Sequence, residues 1–156
     1  MTEFSHLDKS GNVRMVDISE KKVTKRTAIA TGFIEMQPAT VKKIVSDKVP
    51  KGNVLTTAKI AGVQAAKKTF ELVPLCHPLN LTWINIQIEP KQNGFKIIST
   101  IKAKDTTGVE MEALTAVSAA ALTIYDMCKA VDKKMLIKEI YLIEKTGLQS
   151  SNFKTG

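Results

Sequence analysis

One stretch constrains the chain more than any other: GVEMEALTAVSAAALTIYDMCKAVD, from Gly108 to Asp132. After Gly108 it holds no Gly or Pro and is dominated by Ala and Leu, which predicts one long helix. Thr106, Thr107 and Gly108 offer cap and turn chemistry just ahead of it. The helix is apolar and small-residue in its middle, yet Glu110 and Glu112 stand at its start and Asp126 and Lys129 near its end. Charges in such a setting are costly unless they are used.

The spacing carries a second constraint. Glu112, Ala119 and Asp126 fall roughly on one stripe, with Lys129 a partial turn away, because seven residues approach two turns of ~3.6 residues. Fourteen residues of helix put Glu112 and Asp126 ~21 Å apart, at ~1.5 Å per residue. One small molecule bound by a single copy could hardly touch both. Either the helix starts after Glu112, or the two ends serve one site from different subunits, and the second is the expectation. The plain alternative is that the acids at the start and the Lys at the end complement the macrodipole. Asp126 and Lys129 also fit an ordinary i,i+3 surface pair.

A chain of 156 residues is expected to make a single domain, residues 1–156, with flexible segments at about 1–20 and 146–156. Hydrophobic content of 44% with 24% charged residues suits a globular, soluble protein. No apolar run reaches membrane-spanning length, and the N-terminus shows no apolar signal region. Cys76 and Cys128, the two cysteines, read as free thiols in a reducing cytosol, so the expected location is cytoplasmic. The balance of 23 basic against 15 acidic residues, net +8, favours an anionic partner such as nucleic acid, a membrane surface or a phosphorylated small molecule. Aromatic content of 5% argues against single-strand nucleic-acid binding, which uses stacking platforms.

Residues 1–20 are polar, with a turn at Ser10-Gly11-Asn12. Val23 to Met36 reads as a strand in which Gly32 marks a bulge or bend. Pro38 starts a short helix running to about Asp47. A turn at Val49 to Asn53 leads into a second helix, Val54 to Val73, capped by Asn53. Pro74 and Pro78 hold the apolar tract Pro74-Leu75-Cys76-His77-Pro78-Leu79 extended. Leu81 to Glu89 and Phe95 to Ala103 form a hairpin around Asn93-Gly94. After the long helix, Ile137 to Glu144 makes a last strand, followed by a polar tail from Lys145. Strand, two helices, hairpin, helix, strand is a split β-α-β pattern: an α+β, ferredoxin-like antiparallel sheet with helices packed on one face.

Cys76, His77 and Cys128 lack the spacing of a metal site, so no metal ligands are expected. Neither cysteine is marked as a thiolate by its sequence neighbours. His77 suits either a core histidine with one hydrogen bond or a donor to a phosphate or purine-like ring. Lys51, on a Pro-Lys-Gly turn, can meet an anion at the next helix start or stand as an ordinary exposed lysine. No P-loop and no GxGxxG is present.

Taken together, RMVDISEK at Arg14 to Lys21, the Lys51-Gly52 turn followed by AKIAGVQAAKKT, PLCHPL, and TGVEMEALTAVSAAALTIYDMCKAVD closely resemble the cyclic pyranopterin monophosphate synthase family, the molybdenum cofactor biosynthesis protein C proteins. The resemblance spans nearly the whole chain. It implies a ferredoxin-like subunit in a homohexamer, a trimer of dimers with active sites at subunit interfaces. It implies a lyase that converts a cyclised dihydro-GTP triphosphate, made by a radical GTP cyclase, into cyclic pyranopterin monophosphate with loss of pyrophosphate. No resident cofactor, nucleic acid or membrane is implied; magnesium accompanying the triphosphate stays open. By resemblance Leu75, Cys76, His77, Met111 and Glu112 bind substrate and Asp126 is the catalytic acid/base. Lys51, Glu110, Lys129 and Lys145 resemble further site residues, with Lys51 and Lys129 on the catalytic side. The family tail usually reads KSGGKSG, whereas here it is Lys145 to Ser151, KTGLQSS. That departure bears on how a tail would close over phosphates. A basic ferredoxin-like module binding nucleic acid through lysine-rich faces is the alternative, and it would be indifferent to Asp126.

Overall fold

The Ala-rich stretch forms helix α4 (Glu110–Cys128), with Ala113, Ala116, Val117, Ala120, Ala121 and Ile124 completely buried. Side chains that stop at Cβ leave room for another helix to come close. Helix α2 (Val54–Lys67) takes that room with its own small residues, Ala58, Gly62, Ala65 and Ala66. Gly62 lies at the crossing: a Cβ there would sit 3.2 Å from the Ala116 carbonyl oxygen and 3.1 Å from Ile86 Cγ1. The small-residue face is thus filled from within the same chain.

This computed structural model describes residues 6–147 and 152–156. Around the helix pair run strands β1 (Thr24–Glu35), β2 (Leu81–Lys91), β3 (Gly94–Asp105), β4 (Leu136–Thr146) and β5 (Phe153–Lys154). Helices α1 (Pro38–Val45) and α3 (Thr69–Leu72) flank α2 in sequence. The sheet order is β2-β3-β1-β4-β5 and every neighbouring pair is antiparallel. The first four strands have the ferredoxin-like arrangement expected from the split β-α-β pattern. Helix α4 packs on β1, β3 and β4, and α2 on β2. The helix-facing residues Ala28, Ala30, Ile34, Phe95, Ile97 and Ile101 are fully buried, while Trp83 and Tyr141 are exposed. A period of two puts alternate residues on opposite faces. Gly32 sits where the β1–β4 register shifts, and a Cβ there would press on Val117 of α4, 2.6 Å away.

Several expected boundaries move. The helix predicted over Val54 to Val73 breaks at Lys68, which caps α2 and precedes α3. The Thr69 hydroxyl donates to the carbonyls of Ala65 and Ala66 at the break. The cap expected from Thr106, Thr107 and Gly108 is not made. Val109 occupies the N-cap of α4 without a side-chain bond, and Thr106 turns its amide and hydroxyl to Asp105. α4 ends at Cys128, with Lys129 as its C-cap, short of Asp132. β4 runs past Glu144 to Thr146, so Lys145 belongs to the sheet, and Phe153–Lys154 pairs with it from the expected tail. The tail positions Leu148, Gln149, Ser150 and Ser151 lie outside the described residues. Among the described residues no helix is long and apolar enough to cross a membrane.

Candidate active site

α4 begins at Glu110, so Glu112 is on the helix and the alternative of a later start is gone. The two charged ends build two separate clusters within one chain, ~21 Å apart along the axis.

At the C-terminal end, Lys129 Nζ lies 2.8 Å from Asp126 Oδ1. A third group, which the family resemblance placed on the catalytic side but the spacing alone did not bring here, comes from the turn between α1 and α2. Lys51 Nζ donates to the Asp126 carbonyl oxygen at 3.1 Å and reaches Oδ2 at 3.4 Å. Gly52, at φ 97°, gives that turn a left-handed residue at no steric cost. The simple i,i+3 pair is therefore a triad of one carboxylate between two ammonium groups. Hydrogen bonds from Lys129 and then Lys51 hold the Asp126 carboxyl below the usual range, and Asp126 in turn raises Lys129. All three side chains remain about half exposed.

At the N-terminal end, Leu75, Cys76 and His77 join Glu110, Met111 and Glu112 around a cavity of about 270 Å³. The two prolines keep the 74–79 tract out of helix, and Asp105 pins its end by accepting from the Asn80 amide at 2.7 Å. Glu112 is 4% exposed, and its Oε2 and that of Glu110 have no hydrogen-bond partner among the described residues. Burial pushes Glu112 up to about 7; Glu110 and Asp105 add to this, and its own backbone amide opposes it. Such a group can hold a proton near neutrality and either donate or accept. Burial, with Glu112 and Glu110 nearby, also raises the Cys76 thiol, which disfavours the thiolate. Cys128 is fully buried and pushed up to about 11 for the same first reason, so it reads as a packed, protonated thiol, whereas Cys76 is a partly buried thiol on the cavity wall.

A second cavity of about 230 Å³ adjoins the first through Lys21, Thr107, Gly108 and Glu110. Lys145, from β4, lines it, with Nζ 3.5 Å from Glu110 Oε1. Arg26 lines it too and was missed by the sequence reading. It is 6% exposed, donates from Nη2 to the Thr106 carbonyl at 3.2 Å, and leaves Nε unpartnered among the described residues. The signal was present: Arg26 falls in the inward register of β1, between Thr24 and Ala28, where an arginine needs a reason. The N-terminal segment contributes more than expected, since His6, Val16, Ile18 and Lys21 wall the first cavity.

The structure thus brings together Leu75, Cys76, His77, Glu110, Met111, Glu112 and Lys145, and separately Lys51, Asp126 and Lys129. Among the described residues no three His, Cys, Asp or Glu side chains gather as a metal site would require. The sequence profile of the MoaC family matches residues 15–147, which takes in every residue of both clusters except His6. The chain belongs to the MoaC family. This family member is 54% identical over 155 residues to a cyclic pyranopterin monophosphate synthase of Desulfatibacillum aliphaticivorans, covering 98% of each chain. It is 53% identical over 154 residues to a protein of the same name from Chloroflexus aurantiacus, covering 97% of this chain and 94% of that one. It is also 57% identical over 149 residues to a molybdenum cofactor biosynthesis bifunctional protein of Chlorobaculum tepidum, where it spans 96% of its own length and 48% of the relative's.

Proposed function

We propose that this chain is a cyclic pyranopterin monophosphate synthase. It converts the 3′,8-cyclised dihydro-GTP intermediate into cyclic pyranopterin monophosphate and pyrophosphate, downstream of a radical GTP cyclase. The observation that carries the reading is near full-length likeness to proteins of that name, in a chain that lays out acid/base and cation clusters suited to the chemistry.

Closing a cyclic phosphate forms a bond from a sugar-derived hydroxyl oxygen to the α-phosphorus. The bond to the β-phosphate breaks, its electron pair leaves with pyrophosphate, and the hydroxyl proton passes to a base. Asp126, kept ionised by Lys129 and Lys51, suits the acid/base role, and the two ammonium groups suit proton donation. The bound triphosphate needs its standing negative charge neutralised, and Lys21, Arg26 and Lys145 offer fixed cations for that around one cavity. Leu75, Cys76, His77, Met111 and the Glu110–Glu112 pair would hold the ring system beside it. No resident cofactor is proposed; a magnesium ion riding on the triphosphate would arrive as part of the substrate.

One copy cannot bring Asp126 to Glu112 along a straight helix. The reading therefore includes a homohexamer, a trimer of dimers, in which the Asp126 end of one subunit completes the His77 cavity of another. Free thiols and a small-molecule substrate fit a cytoplasmic location. The test is incubation with the cyclised GTP intermediate, followed by assays for pyrophosphate and an oxidisable pterin. Stoichiometric appearance of both is expected; neither appearing overturns the reading.

A further inference from the structure

Asp132 is a buried acid that the proposed chemistry leaves unused. It is 4% exposed, and its carboxylate is held by three hydrogen bonds from backbone and side-chain donors. Its Oδ2 accepts from the Gln37 amide and the Thr40 hydroxyl, each at 2.9 Å, and its Oδ1 accepts from the Lys134 amide at 3.0 Å. Burial would raise its carboxyl, but these donors overcome that and keep it below the usual range. Its own amide donates to the Cys128 carbonyl at 3.0 Å, which ties it to the last turn of α4.

The two donors on Oδ2 are the start of α1. That helix has Gln37 as its N-cap with no side-chain bond of its own, and no acid in its first turn. A free helix N-terminus attracts negative charge and needs acceptors. Asp132 supplies both from 95 residues away. Helix α1 has only 8 residues, and it leads through buried Val49 into the turn that carries Lys51, closed by the Gly52 amide on the Val49 carbonyl at 3.0 Å. Lys51 then returns to Asp126, on the same last turns of α4. The path from α4 to Asp132, α1, Lys51 and back to α4 is a closed ring.

We propose that Asp132 is a positioning residue for the Lys51–Asp126–Lys129 cluster, bracing the start of α1 against the end of α4 so that Lys51 stands over Asp126. The inference rests on the catalytic reading of that cluster. Charged groups face Asp126 from two places: Lys129 at the C-cap of its own helix and Lys51 on the α1–α2 turn. If the brace slackens, Lys51 withdraws and the Asp126 carboxyl titrates at higher pH.

The experiment follows the Asp126 carboxyl by carbon-13 NMR titration of the full chain, assigned with Asp126→Asn, alongside steady-state turnover. Lys51→Ala sets the reference movement. Asp132→Asn puts an amide where the Lys134 amide needs an acceptor and removes the charge from the α1 terminus. Thr40→Val removes one donor while keeping the shape. Both are expected to raise the Asp126 midpoint part of the way towards the Lys51→Ala value, Asp132→Asn the more. Asp132→Asn should lower kcat by about 10- to 100-fold with KM held within about threefold, the cost of a misplaced group rather than a lost binding contact. A midpoint that stays in place in both variants while Lys51→Ala moves it overturns the proposal, even if kcat falls. Should Asp132→Asn not fold, Thr40→Val decides by the same criterion. A midpoint that moves while turnover stays level overturns the catalytic reading of Asp126 and leaves the brace standing.

Discussion

Lys51 meets Asp126 twice, at the carbonyl oxygen and at the carboxylate, across 75 residues of sequence. A lysine bound only to a carboxylate could be an incidental surface pair. One that also caps a carbonyl in the last turn of α4 is fixed in direction. We therefore expect Lys51→Ala, Lys129→Ala and Asp126→Asn each to lower kcat by about 10³-fold or more while leaving circular dichroism and assembly unchanged. Pyrophosphate release measures it, and near-normal turnover by Asp126→Asn would remove the acid/base assignment.

The length of α4 makes the second prediction. Glu112→Ala and Asp126→Ala subunits should each be inactive alone, yet regain activity when mixed, unfolded and refolded together. With two subunits per site, random pairing restores roughly a quarter of the sites. No recovery in verified mixed oligomers counts against a shared site.

Glu112 should make stability depend on pH in an unusual direction. Its folded value, about 7, is raised from an ordinary 4.5. The native state therefore binds more protons between those values, and stability falls as pH rises through the window. The contribution is fully present below about pH 4.5 and lost above about pH 7, on the order of 2 to 3 kcal/mol. Denaturant unfolding at pH 4.5 and 7.5 measures it. Glu112→Gln should flatten the difference, and an unchanged slope in that variant would show that another group is responsible.

Arg26 and Lys145 line the cavity beside the Glu110–Glu112 pair without touching the Asp126 cluster of their own chain. Removing either cation should weaken ground-state binding more than it slows the chemical step. Arg26→Gln and Lys145→Ala are expected to raise KM about tenfold, with kcat reduced by less than about threefold. A fall in kcat at constant KM would instead place the group at the reacting phosphorus.

What could be read from the residues alone followed from local pattern. The Ala-rich run gave α4, the alternation around Asn93-Gly94 gave the β2–β3 hairpin, and Asn53 caps α2 as expected, accepting from the Thr56 amide. The α+β order followed because each of these is a short-range preference. The break at Lys68 was hidden because Thr69 competes for the helix's carbonyls with its hydroxyl, a choice that composition does not reveal. Val109 at the N-cap of α4 was hidden for another reason: it is 1% exposed, so packing outweighed the capping preference of its neighbours. The site was half legible. Glu110, Glu112, Asp126 and Lys129 stand out on an apolar helix, whereas the meeting of Lys51 with Asp126, and of Lys145 with Glu110, depends on tertiary folding. Arg26 looks like any strand arginine until its register is known.

Both ion pairs on Asp126 stand open to water. Dissolved electrolyte therefore reaches them directly, and the screening distance contracts from about 10 Å at 0.1 M to about 3 Å at 1 M. The buried Asp132 brace is sheltered from that loss. In strong brine the α1–α2 turn would stay anchored at its root while its tip lost hold of the helix, a protein still folded but with its lysine adrift.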